Sequence, residues 1–118
     1  MSMPADDTFH YEVEHSELPA TDVRDSLGNQ VTTVRCHGRL VVQTRERLEE
    51  VFRHTAFRGH IYIDLDDVSY IDSAGLAALV RLKFSAAREG GVSVTLVNVG
   101  PRIVRLLRIT RLLEWFSS

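Results

Sequence analysis

The chain has 118 residues, 44% of them apolar and 25% charged, with a formal net charge of −2 at pH 7. That length suits one domain with one core and is too short for two, and the composition is that of an ordinary globular protein. No stretch approaches the ~20 apolar residues that span a bilayer, the start MSMPADDTFHYE lacks the basic and apolar regions of a signal peptide, and the single Cys36 cannot make an internal disulfide.

The expectation is therefore a cytoplasmic protein without a membrane span. Residues 1–30 carry seven acids (Asp6, Asp7, Glu12, Glu14, Glu17, Asp22, Asp25) against Arg24 alone. This acidic arm argues against a nucleic-acid-binding N-terminus. Residues 31–118 carry nine acids and thirteen bases, far from the dense basic stripe that a phosphate backbone requires. The expected organisation is an arm over 1–30, holding a first strand and a long loop, followed by the domain proper over 31–118.

Phe9 to Glu14 alternates apolar and polar residues, the period of a half-buried strand. Residues 16–30, with Pro19 and Gly28-Asn29, read as a long loop. Val31 to His37 is β-branched and predicts a second strand that Gly38 closes. Thr44 is placed to cap a helix over 44–55, with Leu48, Val51 and Phe52 at helical spacing. Arg58-Gly59 breaks that pattern. His60 to Leu65 predicts a buried strand, and Val68 to Ile71 connects it to the next helix. That helix runs from Ser73 to about Arg88, with Leu76, Leu79, Val80, Leu82 and Phe84 at apolar positions and Gly90-Gly91 stopping it. Val92 to Val97 is a further strand. Gly100-Pro101 opens a helix lined by Ile103, Val104, Leu106, Leu107 and Ile109, and Leu112, Leu113, Trp115 and Phe116 make a last turn. The order β-β-α-β-α-β-α predicts an α/β fold, a mixed sheet covered by helices.

Tyr70-Ile71-Asp72-Ser73-Ala74-Gly75-Leu76 carries the most information. It joins a buried strand to a helix, with Asp72 or Ser73 as the N-cap. The start of a helix offers unpaired N–H groups and about half a positive charge, which favours an anion such as a phosphoryl group on serine. Ala74 and Gly75 are small and leave room for another protein. An Asp-Ser pair before a helix is also an ordinary cap, and both readings stand on local physics.

The segment Asp72-Ser73-Ala74-Gly75-Leu76, after Asp64-Leu65-Asp66-Asp67-Val68-Ser69-Tyr70-Ile71, resembles the signature of the STAS domain, and more closely that of bacterial anti-sigma-factor antagonists. The resemblance runs from about Val31 to Phe116. It takes in Gly38-Arg39-Leu40, the Gly90-Gly91-Val92 break, and Gly100-Pro101 with Val104-Arg105-Leu106-Leu107. It implies a STAS-like mixed sheet with helices. It also implies that Ser73 is phosphorylated by an anti-sigma factor with a histidine-kinase-like ATPase fold. The unmodified form would bind that factor and free a sigma factor, and a metal-dependent phosphatase would reverse the change. Ser73 would be the phosphoacceptor, with Asp72, Ala74 and Gly75 beside it. Gly38, Arg39 and Leu40 would belong to a partner-facing loop. One departure is visible: the family commonly has Asp directly after the Gly-x-Leu, where this chain has Val41. That favours the alternative of a constitutive STAS module, a scaffold or transporter accessory subunit, in which Ser73 is only a cap.

Other chemistries find less support. A hydrolase elbow needs Gly two residues before its serine, where Ile71 stands. A phospho-aspartate receiver needs an acidic pair after its first strand, and Cys36-His37-Gly38 offers none; the sole lysine, Lys83, falls within a helix. His10, His15, His37, His54 and His60 lack metal-ligand spacing. Cys36 reads as a small core residue. Arg102, Arg105, Arg108 and Arg111 read as a solvated face that drifts round the helix, and Gly90-Gly91 is too glycine-poor for a phosphate cradle. No cofactor and no catalytic residue is expected.

Overall fold

The computed structural model describes residues 9–17, 30–54, 59–89 and 92–117. In chain order they form β1 (His10–Glu17), β2 (Gln30–Leu40), α1 (Arg45–His54), β3 (His60–Ile71), α2 (Ser73–Glu89), β4 (Ser93–Val97), α3 (Pro101–Ile109) and α4 (Leu113–Ser117). The four strands make one sheet in the order β1-β2-β3-β4. β1 runs antiparallel to β2, while β2–β3 and β3–β4 are parallel. This is the mixed α/β sheet that the sequence predicts, with a fourth short helix at the end.

The inner face follows from alternation. Val34 and Cys36 on β2, Ile61, Ile63 and Leu65 on β3, and Val94 on β4 are buried, and Leu48, Val51, Leu76, Leu79, Leu82, Ile103, Leu107 and Phe116 close over them from the helices. Phe9, just ahead of β1, is also fully buried. Burial pushes the Cys36 thiol up to about 12, with the Asp64 carboxylate adding to it, so the cysteine is a small core residue.

Two strands run further than alternation predicts. β2 continues through Gly38, whose φ of 93° suits glycine, and ends at Leu40. β3 continues through the predicted connector to Ile71. The pairing slips between Arg35 and His37 and again between Gly38 and Arg39, each time with one extra residue on β3. These bulges interrupt the period of two at Asp66-Asp67, which hides the second half of the strand from a periodicity reading. At the other end, Ser16 and Glu17 belong to β1. The predicted turn signals at Pro19, Gly28-Asn29 and Gly90-Gly91 lie outside the described residues.

The opposite face of the sheet is polar. Both ring nitrogens of His37 on β2 lie 2.6 Å from a carboxylate, Nδ1 from Asp67 of β3 and Nε2 from Glu12 of β1. The His10 ring stacks on it at 4.6 Å. The Asp67 and Glu12 hydrogen bonds raise the His37 pKa above 6.5, because both carboxylates favour the protonated ring, which can donate from each nitrogen. Beside it Arg35 pairs with Glu14 at 2.8 Å.

α3 ends in a Schellman turn. Leu112 N donates to Leu107 O at 2.8 Å and Arg111 N to Arg108 O at 3.1 Å, with Arg111 at φ 61° in the position that usually takes glycine. Arg102, Arg105, Arg108 and Arg111 are all exposed, as expected. Two apolar residues assigned to inner faces are not there: Phe84 and Ile109 are well exposed.

Candidate functional site

β3 ends at Ile71, and the chain turns into α2 through Asp72. The Asp72 N–H donates to Leu40 O at 3.2 Å, and its own carbonyl accepts the first helical bond from Leu76 N at 2.9 Å. Its carboxylate accepts twice more, Oδ1 from Gly75 N at 2.8 Å and Oδ2 from Val42 N at 3.0 Å. Of the two candidate caps, Asp72 is therefore the N-cap. The same carboxylate also fastens the turn before α1 to the start of α2. Desolvation pushes its pKa up, but N–H donation from Gly75, Val42, Ala74 and its own backbone outweighs this and holds it below 3.8.

Ser73 is the first residue of α2 and is exposed. With Asp72 capping the helix, its hydroxyl makes no hydrogen bond among the described residues. Gly75 is buried for a reason of its own. A Cβ there would overlap the Leu40 carbonyl oxygen and come within 2.8 Å of the carbonyl carbon. Its smallness lets α2 press against the end of β2 and does not open space for a partner, which corrects the sequence-based expectation. Ala74 is half-buried beside it.

Gly38, Arg39 and Leu40 are likewise not a loop: they are the last three residues of β2. Gly38 is buried and Leu40 fully so, because the extended pairing with β3 carries them under α2; Arg39 alone of the three is exposed. Its guanidinium lies 5.4 Å from the centre of the Tyr70 ring, a cation–π contact. The turn that follows is held by Thr44, whose hydroxyl oxygen accepts from Val41 N at 3.0 Å and donates to Arg39 O at 2.5 Å. Val41 carries the first helical bond of that turn, from Arg45 N at 2.8 Å, and its side chain is buried.

The structure thus brings Arg39, Asp72, Ser73 and Ala74 to one end of the sheet with accessible surface, and places Gly38, Leu40 and Gly75 beneath them. It adds two residues that sequence reading missed, Val42 and Tyr70, each about half exposed. Both are of types that predict burial. The signal that could have found them is phase: Tyr70 falls between the buried Val68 and Ile71.

Among the described residues, no group of three or more His, Cys, Asp or Glu side chains is placed to hold a metal ion. No described helix is long and apolar enough to cross a membrane. The arrangement offers an exposed hydroxyl at a helix start, flanked by an ionised carboxylate, an arginine and two apolar side chains. Among the described residues no histidine hydrogen-bonds that hydroxyl as a base would.

Residues 20–117 match the family model of the STAS domain. Proteins named anti-sigma-B factor antagonist from several strains of Staphylococcus aureus are 37% identical over 81 residues, which cover 67% of this chain and 74% of theirs. Two solved structures share the fold. The murine Solute Carrier 26 family member A9 anion transporter superposes with a TM-score of 0.62 at 20% identity, over 71% of this chain and 14% of the transporter. A second SLC26A9 structure gives 0.59 at 17% identity, over 75% and 17% of the two chains. With the mixed sheet, the Asp72-capped α2 and a family match over most of its length, this chain belongs to the STAS domain family.

Proposed function

We propose that this chain is an anti-sigma factor antagonist. Its unphosphorylated Ser73 form binds an anti-sigma factor in the cytoplasm and so releases a sigma factor. The observation that carries this reading is the exposed Ser73 hydroxyl at the start of α2, which makes no hydrogen bond among the described residues because Asp72 does the capping. The name borne by the S. aureus relatives supports it.

The anti-sigma factor, with a histidine-kinase-like ATPase fold, is also the kinase, and ATP is the phosphoryl donor. The Ser73 oxygen bonds to the γ-phosphorus of ATP as the bond to ADP breaks, and the hydroxyl proton leaves to a base on the kinase. A metal-dependent phosphatase then adds water, releasing inorganic phosphate and restoring the hydroxyl. The chain contributes an acceptor and a shape, and needs no cofactor or nucleic acid.

Electrostatics favours such a switch. A phosphoserine adds about −1.5 to −2 charges at pH 7, which the start of α2 tolerates. A partner closing over it must desolvate the phosphate beside the ionised Asp72. A cost of ~3 kcal/mol in binding weakens affinity by about two orders of magnitude.

The test is a calorimetric titration of the anti-sigma factor with unmodified and stoichiometrically phosphorylated chain. The expected result is binding by the first and about a hundredfold weaker binding by the second, with Ser73→Ala binding constitutively and Ser73→Asp folding normally but binding weakly. Val41, in place of the family's common Asp, favours the second reading, a constitutive interaction module. Equal affinities, or no modification of Ser73 by the partner in Mg-ATP, would leave that reading standing.

A further inference from the structure

Four large apolar side chains stand exposed among the described residues: Val42, Tyr70, Phe84 and Ile109. Phe84 and Ile109 lie far along their helices. Val42 and Tyr70 lie beside Asp72, Val42 through its N–H on the Asp72 carboxylate and Tyr70 two residues upstream on β3. Arg39 pairs with Tyr70 across β2 and β3 and lays its guanidinium over the ring. Among the described residues no carboxylate pairs with that guanidinium.

Each of the three is set on tied-down backbone. The Arg39 carbonyl is held by Thr44, the Val42 N–H by Asp72, and Tyr70 by the strand ladder. Backbone held this way has little freedom left to lose on binding. Tyrosine and arginine are also the residues on which interface energy concentrates. Val41 is buried and shows a partner little beyond backbone, so recognition at this turn falls to Val42.

We propose that Val42 and Tyr70, with Arg39 over the tyrosine ring, are the anchor by which this chain selects its anti-sigma factor. The surface they fit is an apolar contact bordered by a carboxylate that pairs with Arg39. The proposal rests on the function proposed above, and adds which residues outside the Asp72–Gly75 segment decide which anti-sigma factor is bound.

The experiment uses the full chain, unmodified at Ser73, titrated calorimetrically with the purified anti-sigma factor at two salt concentrations. All three positions are exposed, so Tyr70→Ala, Val42→Ser and Arg39→Glu should keep the thermal transition of the parent. Tyr70→Ala and Val42→Ser are each expected to weaken binding at least about tenfold, and Tyr70→Phe to retain it. Arg39→Glu is expected to weaken it most at low salt and to flatten the salt dependence. If the parent binds and the Tyr70 and Val42 variants bind within about twofold of it, the anchor is overturned while the antagonist function stands. If the parent binds no anti-sigma factor, the function itself falls and the anchor with it.

Discussion

The helices α2 and α3 each follow the end of a parallel strand, and they are started by different means. Both close the same first bond, Leu76 N to Asp72 O and Val104 N to Gly100 O, each at 2.9 Å. At α2 the cap is a carboxylate that reaches Gly75 within the helix and Val42 thirty residues away. At α3 the cap is Gly100, with no side-chain bond, and Pro101 presets the first turn. One start is fixed by contacts from three segments; the other is fixed locally. The first holds an exposed hydroxyl in a set place relative to β2 and α1, as a recognition site requires. The second only redirects the chain.

The same kind of change at the two starts sharpens this contrast. Gly75→Ala drives a methyl into the Leu40 carbonyl, which is backbone and cannot swing away. A loss of ~3 kcal/mol in urea unfolding is expected; a loss below about 1 kcal/mol would mean that β2 and α2 separate easily. Asp72→Ala removes the acceptor for two N–H groups and should cost ~2 kcal/mol. It should also remove an acid limb. Because folding lowers the Asp72 pKa, its contribution is present above 3.8 and is lost as pH falls below that value. The parent should lose stability there more steeply than the variant.

Effects at α3 should be smaller and local. Pro101→Ala frees the unfolded chain and should cost ~0.4–1 kcal/mol, seen as a small drop in Tm. Gly100→Ser should go the other way. Its backbone sits at φ −68°, ψ 162°, and an added Cβ meets nothing within 4 Å, so a gain of a few tenths of a kcal/mol is expected from capping and reduced unfolded-state freedom. A loss at Gly100 as large as that at Gly75 would erase the distinction between the two starts.

The order of elements was legible in the sequence because glycine and proline punctuate it and the helical faces repeat cleanly. The strand ends were not. Bulges at Asp66-Asp67 and near Gly38 break the period of two, so half of β3 reads as a connector. Asp72 and Ser73 are both good caps, and the choice between them rests on where the strand gives way to the helix: the Asp72 carbonyl accepts from Leu76 N and its carboxylate from Gly75 N. Gly75 announced itself as small, but whether that smallness serves a partner or the Leu40 backbone depends on a contact between residues 35 positions apart. Val42 and Tyr70 carry side chains that ordinarily fill cores, and their exposure depends on where two strands end.

His37 ties the edge strand to its neighbours through two carboxylates, and this makes folding an acid–base reaction. Its ring holds a proton more tightly in the sheet than in the unfolded chain. Between 6.5 and the higher folded value, each molecule that folds takes up part of a proton from the buffer. The stabilisation is complete below 6.5 and fades as pH rises through the folded value. The heat of unfolding in that window accordingly includes the ionisation heat of whichever buffer receives the proton, and measurements in phosphate and in Tris should differ by that amount.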